Sequence, residues 1–442
     1  MPRPVNPDKL RGRMNPSSSV ALLSGQPSLP ATADVAVIGG GVIGAAVALE
    51  LARRGATVVV LERGRVGYGC SYGNAGWLTP SLSVPLPAPG MFWKSLRWML
   101  DPESPLYIQP RLDPALARWL AGFLWATRRS AYLRGAESML ELCRWSVDLW
   151  EELAKEGDDF GFARRGLVCV YETEKGLAAG QKHAELVGKC SIPHQLWTSD
   201  DVREREPAVV GKQVGALFYP DDAHCEPYRA MVALAAAARK AGATILEDTD
   251  VFGLEAGDGK VKRLRTTRGT IAAKEVVMAA GAWSESLGKL LDLRVPILGA
   301  KGYSLLLPRL DPHPTRSIYL TERKVAINPH QNALRIAGTL ELVDGDLSVN
   351  PRRVAAIVRG ARGMLPLPAE LEVRELWRGL RPCTPDGMPL IGKARGFANV
   401  WLATGHQMTG LKTATGTGCL LAAQMSGEKP RLDMAPFRAD RY

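Results

Sequence analysis

Three glycines within one short stretch constrain this chain more than any other feature. Residues 34–62 read DVAVIGGGVIGAAVALELARRGATVVVLE. The apolar run Val35 to Ile38 leads into Gly39, Gly41 and Gly44 at G-x-G-x-x-G spacing. A helical pattern follows from about Val42 to Arg54, Gly55 closes it, and a second apolar run from Thr57 to Leu61 ends on Glu62. Strand, tight turn, helix and strand in that order form the unit that holds a dinucleotide on a parallel sheet. Gly39 permits the turn, Gly41 lets the backbone approach a pyrophosphate, and Gly44 lets the helix pack closely on the strand. Free N–H groups at the helix start, around Val42 and Ile43, offer a partial positive charge to phosphates. Glu62 stands where a carboxylate can take both ribose hydroxyls. The fold class is therefore α/β, with a Rossmann-type nucleotide-binding domain.

More of that domain is scattered downstream. Pro227 suits a first helical turn, an alanine-rich stretch follows, Gly242 stops it, and Thr244 to Leu246 reads as a strand. Ile271 to Ala279 is a β-like run ending at Ala280 and Gly281, and Val400 to Ala403 is a short strand before a helix from about Thr413 to Gln424. These pieces predict one discontinuous domain over 34–80, 216–290 and 372–430. Residues 81–215 and 291–371 differ in character. Apolar residues recur at helical spacing from Met139 to Leu153, and Gly302–Leu307, Lys324–Asn328 and Leu334–Leu340 alternate with turns. They predict a substrate domain with helices and a mainly antiparallel sheet. Residues 1–33 read as a disordered extension or an over-long start, since Met14 could also initiate, and 431–442 as a C-terminal tail.

Composition narrows the class. The seven cysteines are odd in number, irregularly spaced and without C-x-x-C, which argues against a disulfide framework or a metal site and for a reducing, cytoplasmic setting. No run approaches the ~18 apolar residues that span a bilayer. The net charge of +11 is spread along the chain with no nucleic-acid motif, so a solvated basic surface or attraction of anions explains it better than nucleic acid does. Residues 91–135 hold eight aromatics and seven Lys/Arg against three acids, with Phe92, Trp93, Trp98, Trp119, Trp125 and Tyr132 among the aromatics. Such a segment either caps an active site or lies on the inner face of the cytoplasmic membrane.

Three distant segments carry a family resemblance. Residues 70–77 read CSYGNAGW, 377–392 read WRGLRPCTPDGMPLIG and 404–412 read TGHQMTGLK. In this order they resemble the FAD-dependent D-amino-acid oxidase superfamily, most closely the bacterial D-amino-acid dehydrogenase and glycine oxidase branch, over about residues 34–430. The resemblance implies non-covalent FAD. Its contacts would include Val42, Ile43, Glu62, Arg63, Cys70, Ser71, Asn74, Ala75, Gly76 and Trp77, with Val251 and Ala280–Gly281 on the adenine side. Gly405, His406, Gln407, Met408, Thr409, Gly410, Leu411 and Lys412 would border the isoalloxazine, where a helix N-terminus stabilises the anionic reduced flavin. The attachment cysteine of sarcosine oxidases matches Gly379, which has no thiol.

The same resemblance implies amino-acid catabolism by hydride transfer from Cα to flavin N5, with Arg381 clamping the carboxylate, a task that suits a bidentate guanidinium. Lys412 is a candidate second cation, Tyr303 and His406 candidate pocket residues, and Met408 replaces a second arginine of glycine oxidases. Arg323 stands near a tyrosine of D-amino-acid dehydrogenases. The expected substrate is a small D-amino acid or a cyclic secondary amine such as D-proline or hydroxyproline, with electrons passed to a quinone or another acceptor. Two alternatives stay open: a glycine or sarcosine oxidase using O₂, favoured by Lys412, and a flavin-binding subunit without chemistry of its own.

Overall fold

The computed structural model describes residues 27–90, 106–108, 113–343 and 345–442. The expectations for residues 1–26 and for Phe92, Trp93 and Trp98 lie outside the described residues. The chain begins with β1 (Thr32–Ile38), α1 (Val42–Arg53) and β2 (Val58–Leu61). It continues through α2 (Pro114–Ala126) and α3 (Arg129–Lys155) to the long strands β3 (Leu298–Pro308), β4 (Ala333–Leu342) and β5 (Glu375–Cys383). Its last long helix is α4 (Gly410–Met425).

Two sheets organise these elements. The first has eight strands among the described residues; its parallel part runs 244–246, β2, β1, 269–278, 400–404 in space. The apolar runs Val35–Ile38 in β1 and Val58–Leu61 in β2 are unbroken because both sheet faces are covered there. Alternate residues serve different cores: Val35, Val37, Val58 and Val60 face α1 and α4, whereas Ala36, Ile38, Val59 and Leu61 face the opposite layer. The second sheet has nine strands among the described residues, mainly antiparallel, with β3 paired to β4 on one side and β5 on the other. That pairing sets Ala300 opposite Arg381 and Leu342, and Gly302 opposite Gly379.

Helix packing is tight where the sequence is small. A Cβ at Gly418 of α4 would lie 2.6 Å from the Ala46 carbonyl of α1, so that crossing requires glycine. On its other side α4 meets α3: Trp150 Nε1 donates to the Leu411 carbonyl at 2.9 Å, and Ser146 shares a hydrogen bond with Thr415 at 2.7 Å. Trp150 is fully buried with its N–H paired, and truncating it to alanine should cost about 3–5 kcal/mol.

Three expected boundaries need correction. α3, assigned by position to the substrate domain, packs its apolar face into the core of the nucleotide-binding half. Strand Gly215–Tyr219 and β5 were expected in the nucleotide-binding half, but they pair within the second sheet, with 167–171 and 195–197 and with β3 respectively. Strand partners are chosen by contacts far away in sequence, so a compositional boundary cannot place them. Nor is 431–442 a free tail. Phe437 is fully buried, and Arg441 forks onto Asp386 through Nε at 2.7 Å and a second nitrogen at 3.0 Å.

Candidate functional site

The carboxyl ends of the first sheet's strands and one face of the second sheet enclose a cavity of about 1310 Å³. Ile38, Leu61 and Ala403 line it from the first sheet, and Tyr303, Thr339, Leu342 and Arg381 from the second. An open α/β sheet presents ligands at this edge, where free strand ends and helix starts converge.

At the nucleotide end the glycines act through space and conformation. Gly39 has φ +108°, and a Cβ there would sit 2.7 Å from the Ala279 carbonyl. A Cβ at Gly44 would meet the Gly39 carbonyl at 2.0 Å, so helix and turn close only around glycine. Gly44 therefore shapes the turn without lining the cavity, whereas Gly39, Gly41, Val42 and Ile43 line it. Glu62 is held by two backbone donors, Gly40 N–H at 2.7 Å and Gly64 N–H at 2.9 Å, which fix its carboxylate beside the turn. Arg63 lies 4.0 Å over the ring of Trp283, and Val251, Ala280 and Gly281 complete this end.

The small loop 70–76 is clamped from both sheets. Ser71 Oγ accepts from Val42 N–H at 3.0 Å at the start of α1. From the other side Ser304 Oγ donates to the Gly73 carbonyl at 2.6 Å, and Arg335 reaches both Ser304 (2.8 Å) and Glu375 (3.1 Å). Cys70, Ser71, Ala75 and Trp77 line the cavity. Asn74 also borders it, but its side chain builds the turn, accepting from Gly76 N–H at 2.8 Å and donating to the Ser71 carbonyl at 2.9 Å. Gly76 departs from expectation: its φ is +72° and a Cβ would lie 2.3 Å from the Cys225 carbonyl, so it serves the turn and does not line the cavity.

At the opposite end α4 starts at Gly410, a turn earlier than its sequence pattern suggests, and points its N-terminus at the cavity. His406, Gln407, Met408, Gly410, Leu411 and Lys412 line the space; Gly405 and Thr409 do not. Gly405, at φ +79°, packs against Thr384, while Thr409 donates through its hydroxyl to the His406 carbonyl. Met408 is 52% exposed, a rim residue. Burial pulls the His406 imidazole down to about 3, so the ring is neutral; Nε2 meets Thr417 at 3.0 Å and Nδ1 has no protein partner.

The two candidate cations differ sharply. Lys412 donates its ammonium to the carbonyls of Thr79 and Leu82 and to the Thr79 hydroxyl, each at 3.1 Å. An ammonium has three donors, so these acceptors use them all. The expectation of Lys412 as a second carboxylate cation is corrected accordingly: it ties segment 79–82 to α4. Asp222 stands nearby, its carboxyl pushed up to about 7 by burial despite hydrogen bonds from Ser81 and the Lys412 charge.

Arg381 is the opposite case. Its guanidinium makes one hydrogen bond, to the Thr339 carbonyl at 2.9 Å, and has no carboxylate partner among the described residues. Desolvation lowers its pKa from the ordinary value, and the neighbouring groups that offset this are the thiols of Cys70 and Cys383. Gly302 makes the room: a Cβ there would lie 2.1 Å from an Arg381 nitrogen. Thr339 turns its carbonyl toward the arginine from a left-handed conformation, φ +68°, at an irregularity in the β3–β4 register. Sequence reasoning missed Gly302 and Thr339; a glycine inside a β run was the available signal. Tyr303 borders the cavity, but its ring packs with Leu305 and Leu307 in the core on the far side of β3 from Arg381, and its hydroxyl accepts from Asn350 N–H at 3.1 Å. Arg323 is not a site residue: it forks onto Glu172 at 2.6 Å through both nitrogens.

The donor set suits a dinucleotide carrying a flat ring system: a helix start and oriented carboxylate at one end, a second helix start at the other, small residues between. Comparison with known proteins agrees. The FAD dependent oxidoreductase family matches residues 34–424. D-amino acid dehydrogenase of Chromohalobacter salexigens is 35% identical over 416 residues, covering 92% of this chain and 99% of that protein. The Vibrio atlanticus protein of the same name is 33% identical, covering 92% and 100%. Among solved structures, glycine oxidase from Geobacillus kaustophilus superposes with a TM-score of 0.76 at 27% identity, covering 93% of this chain and all of that one. L-proline dehydrogenase from P. horikoshii, at 21% identity and a TM-score of 0.73 over 93% and 98%, shares the fold.

Proposed function

The chain belongs to the family of FAD-dependent oxidoreductases, and from that premise we propose that it oxidises the Cα–N bond of an amino acid of D configuration, or of a cyclic secondary amine such as D-proline. The observation that carries this reading is Arg381, a guanidinium in the cavity wall that no carboxylate balances among the described residues. A buried cation without a counter-ion is costly, and a substrate carboxylate is the natural group to complete it. Relatives named D-amino acid dehydrogenase support the same substrate class and configuration.

Gly39, Gly41, Val42, Ile43, Glu62 and Arg63 would hold the adenosine and pyrophosphate of FAD, and the α4 N-terminus would face the flavin ring. FAD, when bound, supplies the acceptor for the hydride that leaves Cα. The protein's part is positional. Arg381 fixes the carboxylate, Thr339 and Gly302 fix Arg381, and the apolar walls keep water from the reacting carbon. As hydride leaves, the amine lone pair forms the C=N bond, so the amine must arrive unprotonated. Water then hydrolyses an open-chain imine to the 2-oxo acid and ammonia, whereas a cyclic imine persists. Non-covalent FAD is supported by Gly379 at the attachment position and by Cys383, which is buried beneath α2 and does not line the cavity.

The finer proposal is transfer of electrons to a quinone or similar acceptor at a membrane surface. Its support is the exposed end of α2, where Trp125 is 64% exposed with Arg128 stacked 3.3 Å over its ring. No helix among the described residues is long and apolar enough to cross a membrane. The test is anaerobic mixing of FAD-loaded protein with D-, L- and N-methyl amino acids. Bleaching of the flavin by D-amino acids is expected; no bleaching by any member refutes the substrate class. Peroxide formed in air at the full rate of turnover would refute the quinone proposal.

A further inference from the structure

We infer that the cavity seats its substrate's side chain against an apolar wall built by α2, and that the preferred substrates carry large apolar side chains. The inference rests on the amine-oxidation reading and narrows it away from the small substrates that the sequence alone suggests.

Sheet register supplies the argument. Arg381 and Cys383 alternate onto the same face of β5, and across β3 they stand opposite Ala300 and Leu298. Ala300 in turn stands opposite Leu342 of β4. The arginine thus rises from a face that is otherwise apolar, the face that Leu298, Ala300, Leu340, Leu342 and Cys383 cover beneath α2. α2 is fixed there: Trp119 Nε1 donates to the Cys383 carbonyl at 3.0 Å, and Gly122 faces Pro385, where a Cβ would come within 2.9 Å. Leu120 and Phe123 of α2, with Leu340 and Leu342 opposite, line the cavity beside Arg381, and the thiol of Cys383 in this cluster is held neutral by burial. A carboxylate held by the guanidinium leaves an adjoining side chain to meet leucines and a phenylalanine. Contact with that wall removes apolar surface from water for leucine or phenylalanine, whereas glycine leaves the wall wet and an acidic side chain loses its hydration without a partner.

The experiment measures anaerobic flavin reduction by glycine and by both enantiomers of alanine, leucine, phenylalanine and aspartate. For the active enantiomer, efficiency should rise from glycine through alanine to leucine and phenylalanine by about a hundredfold overall, with aspartate below alanine. Leu120→Ala should lower the leucine-to-alanine ratio by about tenfold, with FAD content and unfolding temperature recorded to show that the variant folds. Leu120→Arg should raise aspartate relative to leucine. Glycine or aspartate reducing the flavin as well as leucine does would overturn this inference and leave amine oxidation standing. Flavin that no amino acid reduces would overturn both.

Discussion

Lys412 and Arg381 line one cavity from opposite walls, and the protein treats them in opposite ways. Lys412, in the first turn of α4, has all three donors taken by Thr79 and Leu82. Arg381, on an antiparallel strand, touches one carbonyl and, among the described residues, no carboxylate. One cation has its donors consumed by the fold; the other keeps most of its donors unused by the described residues, as the proposed clamp requires. Charge and location alone would rank them equally, so hydrogen-bond saturation is the observation that makes Arg381, and not Lys412, the candidate for binding an anion.

The sharpest way to break this comparison is Arg381→Ala, which should weaken carboxylate capture by about two to three orders of magnitude, read as apparent KM or as the midpoint of flavin bleaching. An effect within threefold would remove the clamp. Gly302→Ala should act on the same group indirectly, since the added methyl displaces the guanidinium, with a loss of about ten- to a hundredfold. Lys412→Met should act mainly on stability. Two buried carbonyls lose their donor, about 1–3 kcal/mol by thermal or denaturant unfolding. Its effect on carboxylate affinity should be far smaller than that of Arg381→Ala; a comparable loss would erase the distinction.

A separate effect, away from both cations, is read in the pH dependence of stability. Burial holds His224 at about 4 and His330 and His406 at about 3, against an ordinary 6.5. As pH falls below 6.5 the unfolded chain takes up these protons first, so stability is complete above 6.5 and declines toward pH 4, by about 1.4 kcal/mol per unit for each histidine. Asp222, raised to about 7, runs the other way: its contribution is full below its ordinary 3.8 and is lost as pH rises toward 7. Three histidines outweigh one carboxyl. The unfolding temperature should fall between pH 7 and pH 5, and His330→Gln should flatten the slope.

Much of the nucleotide-binding half could be read directly. The β1–α1–β2 unit is local, with turn, helix and carboxylate inside 29 consecutive residues, and its glycines face constraints that neighbouring backbone imposes. The antiparallel half was legible as strands but not as pairings. Nothing near Gly215–Tyr219 or β5 announces its partners, which lie far off in sequence. The site followed the same division. Glu62 and the start of α1 were visible; Gly302 as the space for Arg381 and Thr339 as its anchor were not, and the α2 wall was foreseen only as one of two roles for residues 91–135.

By itself the sequence determined that the chain carries a dinucleotide-binding α/β unit, with a second helix start for the far end of the cofactor and a guanidinium among its candidate ligands. Periodicity and glycine spacing act over a few residues, so they survive in the linear order. Only the tertiary structure decided which cation stays free and what surrounds it. Thr79 and Leu82 reach Lys412 from more than 300 residues away, while β-sheet register leaves Arg381 among leucines. Such neighbours are set by packing and by the satisfaction of buried polar groups, which the order of residues alone does not display.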